Sequence, residues 1–239
     1  FCLSRGLGDV YKRQLLQNKK PMMIKFAIVF GVIVTSVLLM KKKDMSYRQS
    51  ILKTMYPVIM FPGKLMGAKN ASKLNTDNKQ PQKDFYALQA VLNNGDTLSF
   101  ESFRGKKVVL VNTASDCGYT GQYKELEALY QQYKNNLIVV GFPANDFKEQ
   151  EKKSDADIAS FCKVNYGVTF LLMRKGSVVK GSEQQSVYQW LTNANANGWC
   201  NQAPVWNFCK YVVSEEGVLQ AYFPQTVSPL DEAVAQQLK

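Results

Sequence analysis

Two short apolar runs with an amphipathic stretch between them constrain the fold of this chain more than any other feature. Lys107-Val-Val-Leu-Val-Asn112 and Leu137-Ile-Val-Val-Gly-Phe142 are too short and too rich in β-branched residues for buried helices, and read as buried strands. Between them, Leu126, Leu129, Tyr130 and Tyr133 fall at the i, i+3, i+4 and i+7 positions of one helix face. A helix crossing between two strands makes those strands parallel. Such a β-α-β unit calls for an α/β domain, with helices around a central sheet.

The rest of the domain can be read outward from this unit. Phe85 to Val91 and Thr97 to Phe100 flank Asn93-Asn94-Gly95-Asp96, a hairpin signal because Asn and Gly accept positive φ. Ser154, with Asp157 three residues on, opens a helix expected to end near Cys162. Tyr211–Val213 and Val218–Phe223 flank a Gly217 turn as a second hairpin, and Ser228-Pro229 is expected to start a final helix. Hairpins added to a parallel pair make the sheet mixed. The domain is expected to span 84–239.

The formal charge of +11 raises a nucleic-acid reading, which the distribution of charge removes. Residues 1–83 carry 16 Lys and Arg against 3 acids, whereas 84–239 carry 14 against 16. A domain of net charge −2 offers no basic groove, so no nucleic-acid partner is expected. Residues 1–21 lack periodicity and read as a non-native leader, with a natural start expected at Met22, Met23 or Met45. Residues 22–44 contain an uncharged apolar run of 15 residues, Phe26–Met40, bounded by Lys25 and Lys41–Lys43. It is shorter than the roughly 20 residues of a typical span. It reads as an uncleaved membrane anchor, or alternatively as a cleaved signal segment that would send the domain to the periplasm or outside the cell. Residues 45–83 combine a basic amphipathic stretch, suited to a membrane surface or to packing, with a polar segment at 67–83 read as a flexible tether.

There is no histidine, which excludes Cys-His and Ser-His catalytic pairs and histidine-ligated metals. No metal and no cofactor are expected. Five cysteines at irregular spacing suit neither a disulfide scaffold nor a zinc site, so reactive thiols are the better reading. Cys117 lies in Val111-Asn-Thr-Ala-Ser-Asp-Cys-Gly-Tyr-Thr120, after a buried strand and before a helix. Free backbone N–H groups and the helix dipole there favour an anion, so a depressed thiol pKa is expected. Thr120 stands where a thioredoxin-type turn has its second cysteine, so no dithiol cycle fits within the turn. A lone thiolate suits attack on a peroxide O–O bond, giving a sulfenic acid that a thiol elsewhere must recycle.

Four segments in order resemble the glutathione peroxidase family: Asn112-Thr-Ala-Ser-Asp-Cys-Gly-Tyr-Thr-Gly-Gln-Tyr-Lys-Glu-Leu126, Gly141-Phe-Pro143, Asn165-Tyr-Gly-Val-Thr-Phe170 and Trp206-Asn-Phe208. The resemblance covers roughly 84–239 and implies a thioredoxin-like fold. Its active-site tetrad of Cys, Gln, Trp and Asn falls on Cys117, Gln150, Trp206 and Asn207. Cys117 is the implied nucleophile, and the other three are implied donors around sulfur and the peroxide oxygens. Cysteine at 117 together with Cys162 resembles the branch in which a resolving cysteine closes a disulfide that a thioredoxin-like protein reduces, glutathione being the alternative reductant. Hydrogen peroxide, organic and lipid hydroperoxides are the implied substrates. The lack of a long insertion between Leu171 and Trp190 implies a monomer, while Cys200 and Cys209 are read as structural. The chain departs from the family at Lys148, where a loop glycine is usual, which leaves the aim of Gln150 least secured. A membrane-tethered thiol–disulfide oxidoreductase and a peroxide-sensing relay protein are the alternative functions.

Overall fold

The structure is a computed structural model that describes residues 29–32, 35, 45–65 and 71–239. The expected leader at 1–21 and most of the apolar run at 26–40 lie outside the described residues. Among the described residues no helix is long and apolar enough to cross a membrane. The chain divides into two compact units, 1–41 and 42–239, and the second holds the sheet.

That unit begins with helix α1 (Tyr47–Leu65), edge strand β1 (Lys73–Leu74) and a separate hairpin of β2 (Gln89–Val91) and β3 (Thr97–Ser99). The expected crossover follows as strand β4 (Lys107–Thr113), helix α2 (Gln122–Tyr133) and strand β5 (Leu137–Pro143). Helix α3 (Asp155–Tyr166), strand β6 (Leu171–Leu172) and helices α4 (Ser186–Leu191) and α5 (Ala194–Asn197) come next. Strands β7 (Lys210–Val213) and β8 (Leu219–Phe223) and helix α6 (Glu232–Gln236) complete the unit. The main sheet runs β1-β8-β7-β4-β5-β6, with β4, β5 and β6 parallel and β7, β8 and β1 antiparallel to their neighbours. This is the thioredoxin-like α/β arrangement that the resemblance implied.

Alternation along β4 divides the core. Val109 and Val111 join a cluster with Leu126, Leu129, Ile158 and Phe161 under α2 and α3. Val108 and Leu110 face the other way, toward Val187, Tyr188 and Leu191 of α4. A strand buried on both faces needs an apolar residue at nearly every position, as this run has.

Register places the site. Thr113 pairs with Pro143 at the C-terminal ends of β4 and β5, so the loops that follow, 114–121 and 144–154, emerge on one sheet edge. Strand β7 runs the other way, with Lys210 opposite Val111, which brings the preceding 206–209 segment to the same edge. Three loops distant in sequence meet there, the usual place for ligands in α/β sheets.

Three expectations change. The segment read as a tether is docked from residue 73 onward: Lys73 and Leu74 pair with Tyr222 and Ala221, and the Gln82 and Lys83 N–H groups donate to the Ala196 carbonyl at 2.9 and 3.0 Å. Edge pairing uses backbone groups, so a polar sequence does not prevent it. Phe85–Ala87 forms a 3₁₀ turn capped by Asp84 in place of the start of a strand. The last helix begins at Glu232, because the Asp231 carboxylate accepts from the Ala233 N–H at 2.9 Å and so supplies the cap.

Candidate active site

Cys117 sits in the tight turn between β4 and α2 and is fully buried. The turn winds into the helix: the Thr120 N–H donates to the Cys117 carbonyl and the Gln122 N–H to the Tyr119 carbonyl. Its upstream side is fixed by Glu151, a buried carboxylate that accepts from the Ser115 N–H at 2.7 Å and hydroxyl at 2.8 Å. Burial pushes the Glu151 carboxyl up, and the Ser115 donors pull it back. Glu151 follows Gln150, whose carbonyl accepts from the Asp116 N–H at 3.0 Å, so the turn and the 144–154 loop are knitted together.

The four residues aligned with the tetrad are brought to this edge. Tyr119 and Trp206 pack against the core cluster that holds Cys117, and the Tyr119 N–H, the Trp206 indole and the Asn207 amide each pull the thiol pKa down. Gln150 reaches the group through Asn207, accepting from its Nδ2 at 3.0 Å. Asn207 is buried, and its Oδ1 has no hydrogen-bond partner among the described residues. Trp206 is half-buried, with the Phe147 ring 5.8 Å from it and the Lys148 ammonium 5.7 Å over its face.

The lost loop glycine has a visible consequence. Lys148 and Glu149 both adopt positive φ, 52° and 50°, in the region glycine enters at least cost. The loop thus keeps its path to Gln150 despite the side chains there.

The thiol itself departs from the sequence expectation. Its pKa is raised, because burial outweighs the lowering by the Tyr119, Trp206 and Asn207 donors, with Asp116 adding a smaller upward push. Helix-end arguments apply to a solvated terminus, whereas this sulfur is packed within the core.

Cys162 lies on α3 in the same core cluster, fully buried, its thiol pushed up to about 12 by desolvation. Among the described residues all cysteines are free thiols. Cys200 and Cys209 are buried on the opposite side of the sheet.

Three positioning residues escaped the sequence reading: Glu151, Asn112 and Lys210. Asn112 ends the apolar strand run, fully buried. Its amide donates to the Trp206 carbonyl at 2.9 Å and accepts from the Cys209 N–H at 3.0 Å, and its backbone carbonyl accepts from the Phe208 N–H at 2.6 Å. Phe208 is held at φ 70° by these bonds, a conformation a bulky residue adopts only under constraint. Lys210, also fully buried, donates to Gln122 Oε1 at 2.8 Å and to the Phe208 and Val227 carbonyls. A polar residue inside an apolar strand pattern was the available signal for Asn112 and Lys210; Glu151, in a polar loop, carried none.

Against known proteins, the glutathione peroxidase family model matches residues 85–192. The glutathione peroxidase-like peroxiredoxin HYR1 of Saccharomyces cerevisiae is 40% identical over 159 residues, covering 65% of this chain and 97% of that protein. A glutathione peroxidase of Lactococcus lactis subsp. cremoris is 41% identical over 145 residues, covering 60% of this chain and 91% of its own length. The crystal structure of T. cruzi GPX1 superposes with a TM-score of 0.51 at 25% identity, covering 65% of this chain and 94% of that one.

Proposed function

The chain belongs to the glutathione peroxidase family and is a thiol-dependent peroxidase, and on that premise we propose that Cys117 reduces hydroperoxides through a sulfenic acid resolved by Cys162. The Cys117 thiolate attacks the distal oxygen of ROOH. An S–O bond forms as the O–O bond breaks, and the departing alkoxide or hydroxide takes a proton to leave as alcohol or water. Sulfur has then been oxidised by two electrons. The Cys162 thiol next gives up its proton and its sulfur attacks the sulfenic sulfur; the S–O bond breaks and the departing hydroxide takes a proton to leave as water, giving a disulfide. A dithiol protein of the thioredoxin type supplies the two electrons that restore both thiols.

One observation carries this reading. Tyr119 and Trp206 pack against the cluster that buries Cys117, Asn207 is tied to Gln150 at 3.0 Å, and the Tyr119 N–H, the Trp206 indole and the Asn207 amide are neutral groups that lower the thiol pKa. Donors so placed stabilise charge on sulfur and on the departing oxygen with no imidazole, as a chain without histidine requires. The unpaired Asn207 Oδ1 is an acceptor for the O–H of the hydroperoxide or of the sulfenic acid. Hydrogen peroxide, organic and lipid hydroperoxides all present the same reacting O–O bond. The apolar run at 26–40 supports a place at a membrane, which fractionation of cells expressing the full chain tests.

The assay is peroxide-driven oxidation of reduced thioredoxin, with glutathione as the competing reductant. Cys117→Ser is expected to abolish turnover. Cys162→Ser is expected to consume about one equivalent of peroxide and then stop with thioredoxin. Full turnover of Cys162→Ser would instead assign recycling to a direct reductant such as glutathione.

A further inference from the structure

Helix α1 lies across the catalytic turn. Its inner stripe packs on that turn: a Cβ on Gly118 would come within 3.1 Å of Ile59 Cδ1 and 3.8 Å of Leu52 Cδ2, and a Cβ on Gly121 within 2.3 Å of the Tyr56 ring. Met60 is buried, and its sulfur accepts from the Gln122 amide at 3.9 Å. Polar contacts fasten the helix at its first turns. Arg48 pairs with Asp116 at 2.8 Å, and the Gln49 amide donates to the Ser115 carbonyl at 3.1 Å. Lys53 donates to the Asn165 carbonyl at 3.2 Å and sits 4.8 Å over the Tyr166 ring, so the same helix also touches the end of α3, which carries Cys162.

The helix is weak in itself. Pro57 and Pro62 each remove a backbone donor from its interior, and its first turn has no acidic residue. Its seat depends on tertiary contacts, the condition under which an element leaves as a unit. Beside it, a cavity of about 290 Å³ is lined by Ser46 and Gln49 from the helix side, Ser115 and Asp116 from the turn, and Glu149 and Lys152 from the neighbouring loop.

We propose that helix α1 is a liftable roof over Cys117, with Leu52, Tyr56 and Ile59 as the residues that determine which reactants reach the sulfur. Seated, it leaves the sulfur fully buried and open only to small hydroperoxides; bulky hydroperoxides and a protein reductant react with Cys117 after it lifts. The inference rests on the assignment of Cys117 as the peroxide-reacting thiol.

The test uses the full chain, three single variants and one double variant. Tyr56→Ala and Ile59→Ala weaken the seat from the helix side. Gly121→Ala weakens it from below: Gly121 has helical φ and ψ, −57° and −25°, so alanine suits the backbone while its methyl displaces the Tyr56 ring. Alkylation of Cys117, located by peptide mapping, is followed with iodoacetamide and with a bulky maleimide. The kcat/KM for cumene hydroperoxide is measured against that for hydrogen peroxide. In each variant, maleimide labelling and the cumene-to-hydrogen-peroxide ratio are expected to rise by about tenfold, and iodoacetamide labelling by less than about threefold. The Gly121→Ala/Tyr56→Ala double variant is expected to match Tyr56→Ala alone, because the shortened side chain leaves room for the methyl. Equal changes for small and bulky reagents, no change, or additive effects in the double variant would overturn the roof. Size-selective labelling without peroxide consumption would leave the roof standing and reject the peroxidase assignment of Cys117.

Discussion

Lys210 places an amine in the core, where its three acceptors, Gln122 Oε1 and the Phe208 and Val227 carbonyls, are all neutral. Desolvation pushes its pKa down to about 7, with the Cys209, Glu125 and Asp231 side chains opposing. The folded value lies below the ordinary lysine value of about 10.4. Between pH 7 and about 10 the unfolded chain therefore holds a proton that the folded chain lacks, and stability rises with pH across that window. Below pH 7 both forms are protonated and the gain is absent. Lys210→Met leaves three buried acceptors unpaired and should destabilise the fold by about 1–3 kcal/mol. The gap in melting temperature between wild type and variant should widen from pH 7 to pH 9, as thermal melts would show. A constant gap would mean that the amine stays charged throughout. Lys210 was open to notice in the sequence as a cation inside a strand, but nothing there revealed that it ties the first turn of α2 to the residue after Asn207. Lys148 shows the converse: a glycine missing from a familiar loop was legible, and the structure answers with positive φ at Lys148 and Glu149.

At the scale of elements, long periodic segments were legible and short ones were not. Strands β4 and β5 and helix α2 each carry a repeat that only one geometry satisfies. Strand β6 and helices α4 and α5 are two to six residues long, too short to show a period, and form because neighbours supply their contacts. Helix α3 was legible from its cap, where Ser154 Oγ accepts from the Asp157 N–H at 3.2 Å. That helix also sets a problem for the proposed chemistry. Cys162 faces the core from its third turn, and a disulfide needs Cα atoms within about 7 Å in suitable orientation. If α3 must open to deliver Cys162, weakening its cap should assist the step. Ser154→Ala is expected to lower stability by about 1 kcal/mol and to speed Cys117–Cys162 disulfide formation after one equivalent of peroxide, up to about fivefold. Quenched-flow trapping with mass mapping measures the rate. A slower rate in the destabilised variant would show that α3 delivers Cys162 while intact.

For the whole molecule, the reactivity of Cys117 is set by what buries it. The turn after β4, the Trp206–Asn207 segment before β7 and helix α1 come from three regions of the sequence and meet at one sheet edge, which is why local sequence pointed to a depressed thiol pKa while the assembled structure raises it. Burial is the largest cause, so the thiol holds its proton more tightly than an ordinary cysteine does. The rate of Cys117 oxidation by hydrogen peroxide should therefore rise about tenfold per pH unit between pH 6 and 8, with no plateau in that interval. Lifting the roof returns water to the sulfur. In Tyr56→Ala and Gly121→Ala the profile should shift to lower pH, because the largest upward cause shrinks while the Tyr119, Trp206 and Asn207 donors remain. Stability moves the other way. A raised thiol keeps its proton in the folded chain where the unfolded chain loses it, so above about pH 8.5 this group removes stability, and Cys117→Ser should lessen the alkaline loss seen in thermal melts. A wild-type rate already flat at pH 7 would mean that the three donors overcome burial. The roof would then govern access alone, with no part in setting the thiolate.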